Sequence, residues 1–205
     1  MLGNEYQVDY SNKEKLKING RYYLKEVDIK IQKSQKNIFV ISFKFITSNY
    51  KQNVNNFFEN LLGECANIRT KNIGFGHILV LRNKIPYSDK EGNIKKWEIP
   101  NDKDLGKYIT LFNDRSKYFH SPNYLCIEIV SIAPIIEEVI SSSPGTSGYS
   151  EDFYKKEIKP RLNELKIENG ICGSGLSPHY IEFIKENMNL QKFFQDTIKF
   201  IQEKS

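Results

Sequence analysis

The sequence predicts an α/β fold in which a central mixed sheet is flanked by helices and followed by a helical tail. Three observations point there. Apolar runs of strand length recur at Ile38 to Ile46, His77 to Ile85 and Tyr124 to Ala133. Between the first two, Val54, Phe57, Phe58, Leu61, Leu62, Cys65 and Ile68 repeat at intervals of three and four, the period of a helix that packs one face. Beyond residue 151 the same helical spacing replaces the strand pattern.

Taken in order, Lys15 to Gln32 alternates and is broken by Asn19-Gly20, which predicts a hairpin whose second arm contains Lys25 to Ile31. Side chains two apart share a face of a strand, so Glu26, Asp28 and Lys30 are expected together on that arm. Ile38 to Ile46 is β-rich and nearly continuous in apolar residues, as a central strand is. On it Ser42 and Lys44 point one way, and Ile41, Phe43 and Phe45 the other. Tyr50 to Ile68 is the most strongly periodic helix in the chain. His77 to Ile85 and Tyr124 to Ala133 read as further buried strands, with a short polar helix over Asp102 to Phe112 between them. The segment 141–150 (SSSPGTSGYS) has no apolar period and reads as a loop. Glu151 to Leu165, His179 to Asn187 and Leu190 to Glu203 read as helices. A chain of 205 residues with this layout suits a single domain over 1–205, with its core at about 15–133, the loop at 141–150 and the helical tail at 151–205.

Composition narrows the function classes. The hydrophobic fraction is 39% and the longest apolar runs are no longer than a strand, so neither a membrane span nor a secretory signal is expected. The location expected is cytoplasmic. Cys65, Cys126 and Cys172 are odd in number and unrelated in spacing, which predicts reduced thiols rather than a disulfide framework. His77, His120 and His179 occur without a CxxC pair or an HExxH, so a structural zinc site is not expected. The formal net charge of +5 suits a polyanionic partner, because each Lys or Arg that reaches a phosphate displaces condensed counterions. A composition rich in Lys, Asn and Ile accounts for the same balance equally well.

If the strands that carry them are neighbours, Asp28 and Lys44 meet. A carboxylate beside a lysine at one end of a sheet is what metal-assisted phosphodiester hydrolysis needs: the acid binds Mg²⁺ through hard oxygen, and the lysine orients a water or stabilises developing charge. Lys44 is the more telling, because an ammonium flanked by Phe43, Phe45 and Ile46 is costly unless solvated or paired.

This order of hairpin with Asp, strand with xxK, helix and strand resembles that of the PD-(D/E)xK nucleases. The matching segments are Val27-Asp28, Ser42-Phe43-Lys44 and SNYKQNVNNFFENLLGECANIR from Ser48 to Arg69. The last is similar to the polar, Asn-rich helix that follows the catalytic strand in type II restriction endonucleases. The resemblance covers about residues 15 to 87. It implies a restriction-endonuclease-like sheet and a Mg²⁺-dependent restriction endonuclease that hydrolyses phosphodiester bonds of double-stranded DNA at a specific sequence. It also implies catalytic roles for Asp28 and Lys44. Two positions depart from the pattern: Val27 stands where the family has proline, and Ser42 where it has its second acid. Some restriction enzymes of this kind carry serine there and supply the carboxylate from the following helix. The resemblance therefore implies that Glu59 or Glu64 joins Asp28 at the metal. Glu59 lies near the spacing such variants use, whereas Glu64 lies closer in helical phase to the face that packs on the sheet. Glu64 is slightly preferred, and Ser42 becomes a packing or hydrogen-bonding neighbour of the site.

Asn53, Asn55, Asn56 and Asn60 form a solvated helix face or, in a nuclease, amide contacts to the DNA backbone. Lys95, Lys96 and Trp97, then Arg115, Lys117, Tyr118 and His120, mix basic and aromatic groups in loop-like sequence. Such mixtures suit DNA contact and are also common loop chemistry. Cutting both strands calls for two active sites, so a homodimer is expected on a palindromic target. The rival readings are a catalytically degenerate DNA-binding or assembly subunit on the same fold, and a DNA repair or recombination nuclease. A Cys172 nucleophile in GICGSG, with His179 as base, lacks an identifiable third group to orient the base.

Overall fold

The computed structural model describes residues 3–10, 14, 16–91, 93–115, 117–132, 156, 160 and 167–204. The expected loop at 141–150 lies outside the described residues, as does all but Lys156 and Pro160 of the expected helix at 151–165. Six strands form a mixed sheet: in order across it, β1 (Tyr6–Asp9), β4 (Ile29–Lys33), β5 (Lys36–Ile46), β6 (Gly74–Arg82), β9 (Tyr124–Ile132) and β10 (Ile167–Asn169). The central β5, β6 and β9 run parallel, and the flanking pairs are antiparallel. Two hairpins stand apart, β2 (Lys17–Asn19) with β3 (Leu24–Glu26), and β7 (Ile85–Ser88) with β8 (Ile94–Glu98). The helices are α1 (Tyr50–Arg69), α2 (Asp102–Asn113), α3 (Pro178–Asn187) and α4 (Leu190–Glu203). The architecture is the expected mixed α/β sheet with flanking helices and helices at the C-terminal end.

Strand alternation sorts the core into two layers. One joins Val40, Ile46, Leu79, Leu81, Leu125 and Ile127 of the sheet to Leu61, Cys65 and Ile68 of α1, Leu105 and Tyr108 of α2, and Ile184 of α3. The other joins Phe39, Ile41, Ile78 and Cys126 to Phe193 and Ile201 of α4. Because both faces of the central strands are covered over most of their length, those strands read as nearly continuous apolar runs. Gly76 leaves room on the α4 side: a Cβ there would stand 2.7 Å from the Phe193 ring.

The two hairpins fix α1 at its ends. The first turn of α1 contains no acid, and the carboxylate that favours a helix N-terminus comes from β8, where Glu98 Oε2 accepts from Lys51 N at 2.8 Å. Near the other end the buried Asn67 accepts from Tyr22 N (2.8 Å) and Tyr23 N (3.2 Å) and donates to Tyr23 O (3.0 Å). A polar side chain on the packed face of a helix is thereby satisfied by the turn of the β2–β3 hairpin, which it ties down.

Several expectations are corrected. The hairpin arm does not run on through Ile31: β3 ends at Glu26 and β4 begins at Ile29, each with its own partners. Val27 N still donates to Leu16 O, whereas Asp28 N donates to Ile41 O, so the chain changes partners between these two residues. Glu26, Asp28 and Lys30 therefore do not share one strand face. The run from His77 to Ile85 divides into β6 and β7, because Asn83 N turns aside to Val130 O at 2.9 Å. Lys95, Lys96 and Trp97 lie in β8 rather than a loop. Phe43, Lys44 and Phe45 are exposed, so the Lys44 charge is solvated rather than buried in an apolar strand.

Candidate functional site

The sheet splits where the motif residues stand. β4 pairs with β5 only as far as Ile29 opposite Ile41, while β5 continues to Ile46 with β6 alone beside it. From Ser42 onward one edge of β5 is open. Asp28 lies in the bend just before β4, and its Oδ2 accepts from Phe43 N at 2.6 Å. That N–H is the first donor β4 leaves unpaired, so Asp28 satisfies the edge whatever else it does.

On the α1 side of β5 the pleat places Ser42 and Lys44, and the parallel register sets His77 of β6 beside Ser42. These three, with Phe57, Asn60, Leu61 and Glu64 of α1, line a cleft of about 80 Å³. Glu64 Oε2 accepts from Ser42 Oγ at 3.3 Å. Its Oε1 pairs with Lys25 Nζ, reaching over from β3, at 2.5 Å. Lys44 Nζ sits 4.9 Å from the centre of the Phe57 ring, a cation–π contact. No ion pair joins Asp28 to Lys44 among the described residues, and Asp28 is not in the cleft lining; it touches the motif strand through the backbone of Phe43.

The two candidate acids of α1 separate cleanly. Five residues advance a helix by about 140° beyond a full turn, so Glu59 and Glu64 leave it in different directions. Glu64 enters the cleft. Glu59 is exposed and acts instead on Lys107 of α2, whose pKa is lowered by desolvation and drawn back up by Asp104 and Glu59.

His77, Lys25 and Asn67 are site or scaffold residues that sequence reasoning missed. Burial first, then the charges of Lys44 and Lys25, push the His77 pKa down to about 3, so the imidazole is neutral at pH 7. Its Nδ1 is buried without a hydrogen-bond partner among the described residues. Strand parity alone puts His77 on the same face as Leu79 and Leu81. Its place beside Ser42 depends on the register between two strands separated by a helix, which no local pattern encodes.

The other predicted DNA-contacting residues do not line the cleft. Asn53 Nδ2 donates to Asn49 O at 3.0 Å, and Asn56 is exposed. Lys95 pairs with Asp89 at 2.9 Å, and Lys96 lies 4.9 Å from the Tyr87 ring. Arg115 sits 4.0 Å from the Phe112 ring, and Lys117 pairs with Asp114 at 3.3 Å. Cys172 is exposed, with Lys185 Nζ 3.4 Å from its sulfur, and no described contact joins it to His179.

Among the described residues no group of three or more His, Cys, Asp and Glu side chains is placed to hold a metal ion. The cleft itself offers hard oxygens from the Glu64 carboxylate and the Ser42 hydroxyl, while the Asp28 carboxylate stands outside its lining, on the Phe43 amide. Mg²⁺ asks for such donors, uses one or two protein carboxylates and keeps several waters. A water needs about 10–15 Å³ of this kind of space, so a cleft of about 80 Å³ has room for them. Donor chemistry and space therefore fit Mg²⁺. Compared with family models, curated proteins and solved structures, the chain matches none of them. No helix among the described residues is long and apolar enough to cross a membrane.

Proposed function

We propose that the chain is a Mg²⁺-dependent endodeoxyribonuclease of the PD-(D/E)xK type, acting on double-stranded DNA in restriction and working as a homodimer. One observation carries the reading: where the motif has Ser42 in place of an acid, Glu64 of the next helix brings its carboxylate to the Ser42 hydroxyl, in a cleft that Lys44 also lines. Asp28 and Glu64 hold the metal in this reading, and the bound Mg²⁺ would polarise the phosphate and acidify water. Lys44 orients the attacking water and offsets the charge that builds on the phosphate. His77, uncharged, packs the floor beside Ser42 without adding a third cation to Lys44 and Lys25.

A plasmid-cleavage assay with Mg²⁺ tests this. Glu64→Gln and Lys44→Ala are each expected to lower cleavage by at least about 100-fold, as loss of a charge-stabilising group does. Glu59→Gln is expected to leave it unchanged. DNA binding without cleavage in the wild type, unaltered by Lys44→Ala, refutes the enzyme. Fragments of fixed length favour restriction over a structure-specific repair or recombination nuclease. The second reading, a degenerate DNA-binding subunit, draws support from the Lys25 ammonium, which already neutralises Glu64.

A further inference from the structure

We infer that Lys25 is a resident cation of the site: it occupies the Glu64 carboxylate while no metal is bound, and releases it to a divalent cation, freeing its own ammonium for a DNA phosphate. The inference rests on the nuclease reading and adds to it a second lysine with a defined task.

The contact is not a casual surface pair. Lys25 and Glu64 are 39 residues apart in sequence and meet at 2.5 Å, with side chains 27% and 19% exposed. Lys25 is delivered by a fixed element, since β3 pairs with β2 and the turn between them is held by three hydrogen bonds to Asn67. Arg21 N adds a fourth tie to the same helix, donating to Asn67 O at 2.7 Å. The backbone is therefore anchored while the four-carbon stem of the lysine is free to swing.

Charge supplies the reason for exchange. Around Glu64 stand two ammonium groups, Lys25 on its oxygen and Lys44 along the cleft, with the imidazole of His77 uncharged. A divalent cation entering that space meets one carboxylate already neutralised and a second cation nearby. Of the two ammonium groups only Lys25 is bonded to the carboxylate, whose other oxygen accepts from the Ser42 hydroxyl, so Lys25 is the cation that must leave. Once displaced, it carries a positive charge at the mouth of the same cleft, where a phosphate bearing negative charge would draw it.

The test is a titration of the purified full chain with Mn²⁺ and with Ca²⁺, read by calorimetry. Lys25→Met is expected to bind both ions about two- to fivefold more tightly than the wild type, the scale of one partly exposed ion pair. Lys44→Met removes the same charge without freeing Glu64, and is expected to tighten binding less than Lys25→Met. Glu64→Gln is expected to abolish the binding. In Ca²⁺, which supports binding without requiring cleavage, Lys25→Met is expected to weaken association with a duplex oligonucleotide, and without metal to leave it unchanged. Equal effects of Lys25→Met and Lys44→Met, with binding still lost in Glu64→Gln, overturn the role of Lys25 and leave the metal site standing. Absence of binding in the wild type and in Lys25→Met alike overturns both.

Discussion

Replacing His77 by leucine should remove most of the acid sensitivity that this one residue builds into the fold. In the folded chain His77 takes up its proton only near pH 3, because burial and the charges of Lys44 and Lys25 oppose it. In the unfolded chain it does so near pH 6.5. Well above pH 6.5 neither state is protonated there, and the proton equilibrium of the imidazole takes nothing from stability. As the pH falls below 6.5 the unfolded chain binds the proton and the folded chain does not, so stability drops by about 1.4 kcal/mol per pH unit until the folded state also titrates. Between pH 7 and pH 5 the loss from His77 comes to about 2 kcal/mol, and any folded-state pKa below about 4 gives nearly the same figure, because at pH 5 the native imidazole is then still neutral. Urea unfolding of the wild type and of His77→Leu at pH 7, 6 and 5, followed by circular dichroism, measures the difference, and the carboxylates common to both chains cancel. The two stabilities should diverge progressively in favour of the variant as the pH drops. Parallel curves over that range would show that His77 is protonated in the folded cleft, and with it that the site carries a third cation.

Four other substitutions check how the site is held. Asn67→Ala strips three hydrogen bonds from the β2–β3 turn and should cost about 2–3 kcal/mol in a denaturant melt, while moving Lys25 away from Glu64. Glu98→Ala removes the carboxylate from the first turn of α1 and should cost about 1–2 kcal/mol by the same measurement. Gly76→Ala drives a methyl against Phe193 and should destabilise by about 1–3 kcal/mol, with the loss relieved in part by Phe193→Leu. Asp28→Asn keeps an oxygen for the Phe43 amide and should change stability by under about 1 kcal/mol, while the proposed nuclease function requires that it abolish any Mg²⁺-dependent cleavage seen in the plasmid assay.

What the sequence disclosed divides along physical lines. The helix over Tyr50 to Ile68 and the central strand over Ile38 to Ile46 were legible because each buries a periodic or continuous apolar surface. The preference for Glu64 over Glu59 followed from the same periodicity, and the structure brings Glu64, not Glu59, into the cleft. The break between β3 and β4 was not legible, because alternation continues across Val27 and Asp28 while the hydrogen-bond partner changes. Lys25 and His77 were missed for a different reason. Each reaches the cleft through long-range pairing, one by the tie between Asn67 and the hairpin turn, the other by the register of β5 with β6. A lysine in a short strand and a histidine at the head of an apolar one carry no local mark of that neighbourhood.

Asp28 and Glu64 carry unequal weight in the nuclease reading. An open sheet edge presents unpaired backbone groups, and a polar side chain that meets them is an ordinary structural device. Asp28 does this for Phe43, so its position alone is explained without any chemistry. Glu64 has no comparable duty. It leaves α1 one residue before the buried Cys65, in a half-buried place where an ion pair with Lys25 must first overcome the desolvation of both partners. Such pairs are often no more stabilising than apolar side chains of similar size, so packing does not call for a carboxylate at this point of the helix. The Ser42 hydroxyl and the Lys25 ammonium converge on it all the same. A residue that the fold could replace with an apolar one, held by two polar partners from different strands, is the stronger reason to look for a ligand in this cleft.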